Sequence, residues 1–295
     1  MKPVFWLASY PKSGNTWLRM LLNALAAGVD GALDINALTE KGGVAAGREG
    51  FERITLIESD LLTHDEIDRL RPQIHEALAR AAPDGEDDDS GLLPTRFVKA
   101  HDAYLQAPGG EALLAGARAA DGAILIVRDP RAVAPSLAHH FGVSVDTAIG
   151  FMGERNFTLC GGTRLRHPQL RQRLGDWSAH AASWLEQTDL PLLLLRYEDM
   201  CADTAGVLRR ALDFSRVAAA PEEIRRAIDK AHFSELRRQE AEQGFREAEK
   251  NGERAFFRRG EANAWREELT PEQAARIETA HGDMMRRLGY ELSAA

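Results

Sequence analysis

Val4–Trp17, VFWLASYPKSGNTW, decides the fold. Val4–Ala8 is a short apolar run without polar alternation, which reads as a strand buried on both faces. A turn rich in Pro, Lys, Ser and Gly follows. A helix is then expected over Thr16–Ala27, apolar at Trp17, Leu18, Leu21, Leu22 and Leu25, with Gly28 placed to end it. Strand, tight turn and helix in that order aim free backbone N–H groups and the positive helix end at one point, which suits an anion. Gly14 permits close backbone approach. Lys12 adds a full charge, and Ser13, Asn15 and Thr16 add side-chain donors.

Further along, the same reading gives strands at Arg96–Lys99, Ala123–Val127 and Leu192–Arg196. Helices are expected from Thr63, which with Glu66 forms a capping box, to about Arg80; over Pro130–His140; over Pro221–Gln239; and from Thr270-Pro271 to near Leu288. Strands alternating with helices predict an α/β fold, a central parallel β-sheet flanked by helices. The 295 residues are read as one domain. Residues 81–93 are expected as an acidic, solvated loop, and Gly150–His167, carrying Gly153, Asn156, Gly161 and Gly162, reads as a mobile loop.

Composition narrows the function. Apolar residues make up 44% and charged residues 28%, ordinary for a globular chain. No apolar run approaches the roughly 20 residues of a membrane span, and the opening residues do not read as a secretory leader. Net charge is −8, and the cluster Asp84, Glu86, Asp87, Asp88, Asp89 accounts for five of those negatives. Nothing points to a basic surface for nucleic acid, so an anionic ligand needs a local basic pocket. Two cysteines, Cys160 and Cys201, exclude a disulfide scaffold and a cysteine-rich zinc site, and a reducing cytoplasm is the expected location. The sequence carries no dimer signature.

A nucleotide P-loop needs G-x-x-x-x-G-K-[ST]. Here the Lys after Gly14 is missing, Lys12 stands two residues before it, and no strand-end Asp presents itself for magnesium. A P-loop kinase or NTPase is therefore disfavoured. Tyr10–Trp17, YPKSGNTW, instead closely resembles the 5′-phosphosulfate loop of sulfotransferases that use 3′-phosphoadenosine-5′-phosphosulfate (PAPS), with Asn15 where that family usually has Thr. Ile124–Phe141, ILIVRDPRAVAPSLAHHF, resembles the family's 3′-phosphate segment: Arg128 at a strand end and Ser136 eight residues on stand at its spacing, although Ala132 replaces a frequent Asp and Pro135 precedes the Ser. Phe256–Trp265, FFRRGEANAW, resembles the C-terminal R-K-G-x-x-G-x-W motif through Arg258, Arg259 and Gly260, with Asn263 near the place of the later Gly. Arg196–Met200, RYEDM, is similar to the segment whose Tyr, here Tyr197, reaches the adenine. Ala231–Leu236 is similar to one whose Phe, here Phe233, stacks on the base, with Trp17 on the opposite face. Such stacking contributes roughly 1–3 kcal/mol per base.

The resemblance also supplies a candidate base. Arg96–Tyr104, RFVKAHDAY, places Lys99 and His101 where the family has K-T-H, with Ala100 in the middle. It implies in-line sulfuryl transfer from PAPS to a hydroxyl or amine of a small-molecule or glycan acceptor, releasing adenosine 3′,5′-bisphosphate (PAP), with residues 142–186 shaping or covering the acceptor pocket. His101 takes the acceptor proton, Lys12 and Lys99 meet the charge that develops, and no metal is required. The non-enzymatic alternative is a nucleotide-binding module without catalysis, against which stands the retention of Lys12, Lys99 and His101 together.

Overall fold

The computed structural model describes residues 2–29, 31–38, 43–81, 93–162, 167–248 and 254–293. The acidic cluster of the expected 81–93 loop and residues 163–166 of the 142–186 region lie outside the described residues.

Among the described residues six strands are found, in chain order: β1 Val4–Ser9, β2 Arg96–Ala100, β3 Gly122–Val127, β4 Thr158–Leu159, β5 Gln172–Arg173 and β6 Leu192–Arg196. Four build a sheet of order β2-β1-β3-β6, parallel throughout. Every residue of β1 and β3 is buried, as strands covered on both faces must be. Alternate residues serve two cores. Val4, Trp6, Ala8, Ala123, Leu125 and Val127 face the helices Pro130–Phe141, Trp177–Glu186 and Pro271–Arg287. Phe5, Leu7, Ile124, Ile126 and Leu195 face the helices Asn15–Ala26, Thr204–Phe214 and Pro221–Lys230. β4 and β5 form a separate antiparallel pair.

Register positions the site. Ala8 pairs with Ala100, Ser9 with Ile126 and Val127 with Arg196. All four parallel strands thus end at nearly one level, and the residues just beyond them, Tyr10, His101, Arg128 and Tyr197, emerge along one edge. In an open α/β sheet that carboxyl edge is where ligands bind.

Two differences from the sequence reading have local causes. The expected helix Pro221–Gln239 is two helices, Pro221–Lys230 and Phe233–Gln243. His232 adopts an extended backbone and its ring accepts from the Ser234 N–H, so it starts a new helix. Gly150 and Gly153, expected in a loop, lie on the helix Val145–Gly153 capped by Ser144. The helix Pro130–Phe141 runs through Pro135, and the capping boxes at Thr63 and Thr270 are both formed.

Candidate active site

The loop after β1 is fixed from within. Asn15 Nδ2 donates to the Leu7 carbonyl at 2.8 Å and to Ser9 Oγ at 3.2 Å, tying the start of the first helix to the strand before it. The turn between needs two left-handed residues, Lys12 at φ 68° and Gly14 at φ 102°. At Gly14 a Cβ would stand 2.6 Å from Tyr197 Cδ2, so both the backbone angle and the close approach require glycine. At Lys12 the same region is occupied by a long side chain, a strained conformation of the kind found at ligand sites.

One cavity of about 1370 Å³ lies at the carboxyl edge of the sheet. Lys12, Gly14, Asn15, Thr16, Trp17, Lys99, His101, Arg128, Ser136, Tyr197, Phe233, Arg258, Arg259 and Gly260 all line it. Ser13 is fully buried beneath the loop, its Oγ without a partner.

Positive charge is concentrated here. The Lys12 ammonium stands 3.8 Å from the Phe256 ring centroid. Burial, with Lys99 and Arg128 nearby, pushes its pKa down to about 7. Lys99 is lowered by burial even though its Nζ is 3.2 Å from Glu247. Glu247 also meets Arg19 at 2.6 Å. Burial would raise its carboxyl, but Lys99 and Arg19 outweigh that and hold it at about 2. His101 is held well below its ordinary value, by burial first and then by Lys99. Its Nδ1 is 2.7 Å from the Ser9 carbonyl oxygen, which can only accept, so Nδ1 carries the proton and Nε2 keeps its lone pair.

The adenine and 3′-phosphate expectations meet on the other side of the loop. The Arg128 guanidinium lies over the Tyr197 ring at 4.2 Å and donates to the Lys12 and Glu261 carbonyls, each at 3.2 Å, while its buried Nε has no partner. Trp17 packs edge-on against Tyr197 at 5.9 Å and donates its Nε1–H to the Ala231 carbonyl. At Gly260, φ 73°, a Cβ would stand 2.7 Å from Phe233 Cδ2. Arg258 grips Glu268 through both terminal nitrogens, at 2.6 and 2.7 Å, and Arg259 meets Glu268 and Glu267 at 3.1 and 2.8 Å. The two arginines expected at the 3′-phosphate thus hold carboxylates.

Sequence reasoning missed Glu247 and Arg19. Glu247 sits in a charged stretch with no local signature. Arg19 gave a readable sign: it is a charged residue among the apolar positions of the first helix, and it is 95% buried. Among the described residues no group of three or more His, Cys, Asp or Glu is placed to hold a metal ion, and no helix is long and apolar enough to cross a membrane.

A nucleotide 3′,5′-bisphosphate fits these residues. At Gly14 and Gly260 a Cβ would clash with the Tyr197 and Phe233 rings, so glycine lets the loop and the C-terminal segment pack directly against the two aromatics expected at the base. The orphaned Ser13 Oγ, Asn15 Oδ1 and Arg128 Nε are buried polar atoms still owed partners.

Comparison with known proteins identifies the family and the fold. Residues 122–289 match the sulfotransferase domain family. Cytosolic sulfotransferase 17 of Arabidopsis thaliana is 25% identical over 297 residues, spanning 97% of this chain and 75% of that protein. Luciferin sulfotransferase of Photinus pyralis is 28% identical over 209 residues, spanning 70% and 50%. Among solved structures, retinol dehydratase in complex with androsterone and the inactive cofactor PAP superposes with a TM-score of 0.60 at 19% identity, covering 100% of this chain and 83% of that one. Mouse sulfotransferase SULT7A1 complexed with PAP gives 0.58 at 17% identity, covering 97% and 84%. At those identities the structures speak for the fold, which is that of the sulfotransferases.

Proposed function

The chain belongs to the sulfotransferase domain family, and on that premise we propose that it transfers a sulfuryl group from PAPS to a hydroxyl or amine of a small-molecule acceptor, with His101 as general base. Sulfuryl transfer as the reaction class follows from the family. The observation that carries the finer reading is the convergence on one cavity of the Lys12 loop, the Lys99–His101 strand end, Arg128 with Ser136, and the Arg258–Gly260 segment.

PAPS supplies an activated sulfuryl group on a 5′-phosphate leaving group. The chain's residues do the rest. Amides of Ser13, Gly14, Asn15 and Thr16 at the helix N-terminus receive the 5′-phosphate. Lys12, only about half protonated at pH 7 in the free protein, is fully protonated beside the phosphate and neutralises charge growing on the leaving oxygen. Lys99 turns from Glu247 toward the sulfuryl oxygens. Arg128, Ser136, Arg258 and Arg259 grip the 3′-phosphate, guanidinium forks being suited to it. Tyr197, Phe233 and Trp17 surround the base. His101, neutral and oriented by the Ser9 carbonyl, accepts the acceptor's proton at Nε2.

Trp6, Leu78, Ala79 and Val98 line the same cavity and give the acceptor an apolar wall, which favours a small molecule over a glycan. Cysteine usage and the cytosolic relatives' names support a cytoplasmic location. The whole chain acts as one domain, with the 142–186 region bordering the acceptor through Leu159, Cys160 and Gln172.

Transfer from labelled PAPS to a panel of phenols, alcohols and amines tests this. The expected result is labelled product from the native chain and about a thousandfold less from His101→Ala, with PAP binding kept. Undiminished transfer by His101→Ala would remove His101 from its role. A native chain stabilised by ATP–magnesium and not by PAP would reopen the kinase reading.

A further inference from the structure

Around the residue after His101 lies a buried polar cluster that the reaction as described does not use. Asp102 is fully buried, and Arg71, on the helix His64–Arg80, is 1% exposed. Arg71 clasps both Asp102 oxygens, at 3.0 and 2.6 Å. The Arg173 backbone N–H donates to Asp102 Oδ1 at 2.8 Å, and Trp184 Nε1 donates to the Asp102 carbonyl at 3.1 Å. His180 Nε2 lies 3.1 Å from the His101 carbonyl oxygen, which can only accept, so the ring donates there. The Ala103 N–H donates to the Arg173 carbonyl. Asp68 and Arg171 complete the charged surroundings, the first 3.6 Å from Arg71, the second bridged to Asp68.

β2 ends at Ala100, so residues 101–103 lie beyond the parallel ladder and should be the loosest part of the strand connection. Instead three elements converge on them: the helix His64–Arg80, the helix Trp177–Glu186 and β5. Stability alone is a poor reason for this, since a buried ion pair contributes little beyond a well-packed apolar pair of the same volume. What a bidentate pair adds is a defined geometry. The His101 ring needs one: its Nδ1 must stay on the Ser9 carbonyl for Nε2 to face the cavity with its lone pair.

We propose that Arg71 and Asp102, assisted by His180, are positioning residues for the base, holding the His101 main chain so that the ring keeps a single tautomer and orientation. The proposal rests on the reading of His101 as the base. Arg71 and Asp102 touch no reacting atom. They act through the peptide between residues 101 and 102, and a shift of that peptide swings the imidazole off the acceptor. Displacements of about 1 Å at a reacting group can cost about a hundredfold in rate.

The test uses the double variant Arg71→Met with Asp102→Asn. It removes both charges together, so no buried charge is stranded, and the Asn oxygen still accepts from the Arg173 N–H. Two readouts are taken on the full chain. Nitrogen-15 imidazole spectra of His101, assigned by its loss in His101→Ala, should show one Nδ1–H tautomer in the native chain and a mixture in the variant. Steady-state transfer should show kcat lowered at least about tenfold with the KM for PAPS unchanged within twofold. His180→Phe, which deletes only the donor to the His101 carbonyl, should move both readouts the same way by less. A double variant that folds, keeps a single Nδ1–H tautomer and keeps its kcat overturns the proposal. Should the native chain transfer nothing, the sulfuryl-transfer reading fails by itself. The tautomer spectra then decide the positioning claim: a mixture in the variant upholds it, and an unchanged tautomer overturns it.

Discussion

The two ends of the cavity proposed to take phosphates are held in different ways. The loop Tyr10–Trp17 hangs between a fully buried strand and a helix, pinned by Asn15 to Leu7 and Ser9, with its geometry set by Lys12 and Gly14. The segment Arg258–Gly260 has no strand or helix of its own. Carboxylates hold it: Glu268 and Glu267 on the arginines, and Glu240 accepting from the N–H groups of Phe256 and Phe257. The first end presents its donors before any ligand arrives. The second is neutralised by the protein's own acids, so on the proposed function a phosphate replaces a carboxylate there. Lys99 and Glu247 repeat that second pattern next to the first end.

The largest effects are expected at the preformed end. Gly14→Ala places a methyl into the Tyr197 ring at a left-handed backbone angle, which should weaken PAP binding more than about a hundredfold and lower stability by about 1–3 kcal/mol. Calorimetry and thermal unfolding measure the two, and unchanged binding would show that the loop does not hold the nucleotide. Lys12→Ala should lower kcat by about 10²–10³ and also weaken PAP binding. A loss confined to KM would move Lys12 out of the transition state.

An effect of intermediate size concerns protons. The free Lys12 sits at about 7, and a phosphate dianion beside it raises that value. PAP binding should therefore take up close to one proton at pH 8 and almost none at pH 6, read from binding enthalpies in buffers of different ionisation heat. Proton release at pH 8 would contradict the charge assignment. Lys12→Ala should abolish the uptake.

The smallest effect separates the two ends by its sign. Glu268→Gln removes the carboxylate that competes for Arg258 and Arg259, and should tighten PAP binding by about two- to fivefold, since partly exposed ion pairs are worth about 0.5–1 kcal/mol. Weaker binding would mean that Glu268 aims the arginines at the phosphate.

The same contrast governs what the sequence disclosed. The four parallel strands and the phosphate loop were legible because local chemistry determines them: apolar runs without alternation, a Pro-Lys-Ser-Gly turn, and a capped helix. The break at His232 was hidden, because the charged pattern of Pro221–Gln243 runs through it without a Gly or Pro. The helix Val145–Gly153 was not foreseen: the mobile-loop reading of Gly150–His167 overlaps its last turn, and its Ser144 cap lies upstream of that stretch. Glu247 and Glu268 were invisible as site residues, since their partners Lys99, Arg19 and Arg258 reach them only through the fold. The Arg71–Asp102 pair escaped for the same reason, its members lying thirty-one residues apart on different layers. Adjacency along the chain reports strand ends and caps, whereas ion pairs across the cavity depend on tertiary packing.

The most direct measurement is calorimetric titration of the metal-free native chain with PAP. The account predicts saturable binding at one site per chain, weakened by Gly14→Ala and by Arg128→Gln and untouched by His101→Ala. Absence of binding, or binding indifferent to Gly14 and Arg128, would contradict the claim that the strand ends and the C-terminal arginines assemble one nucleotide site.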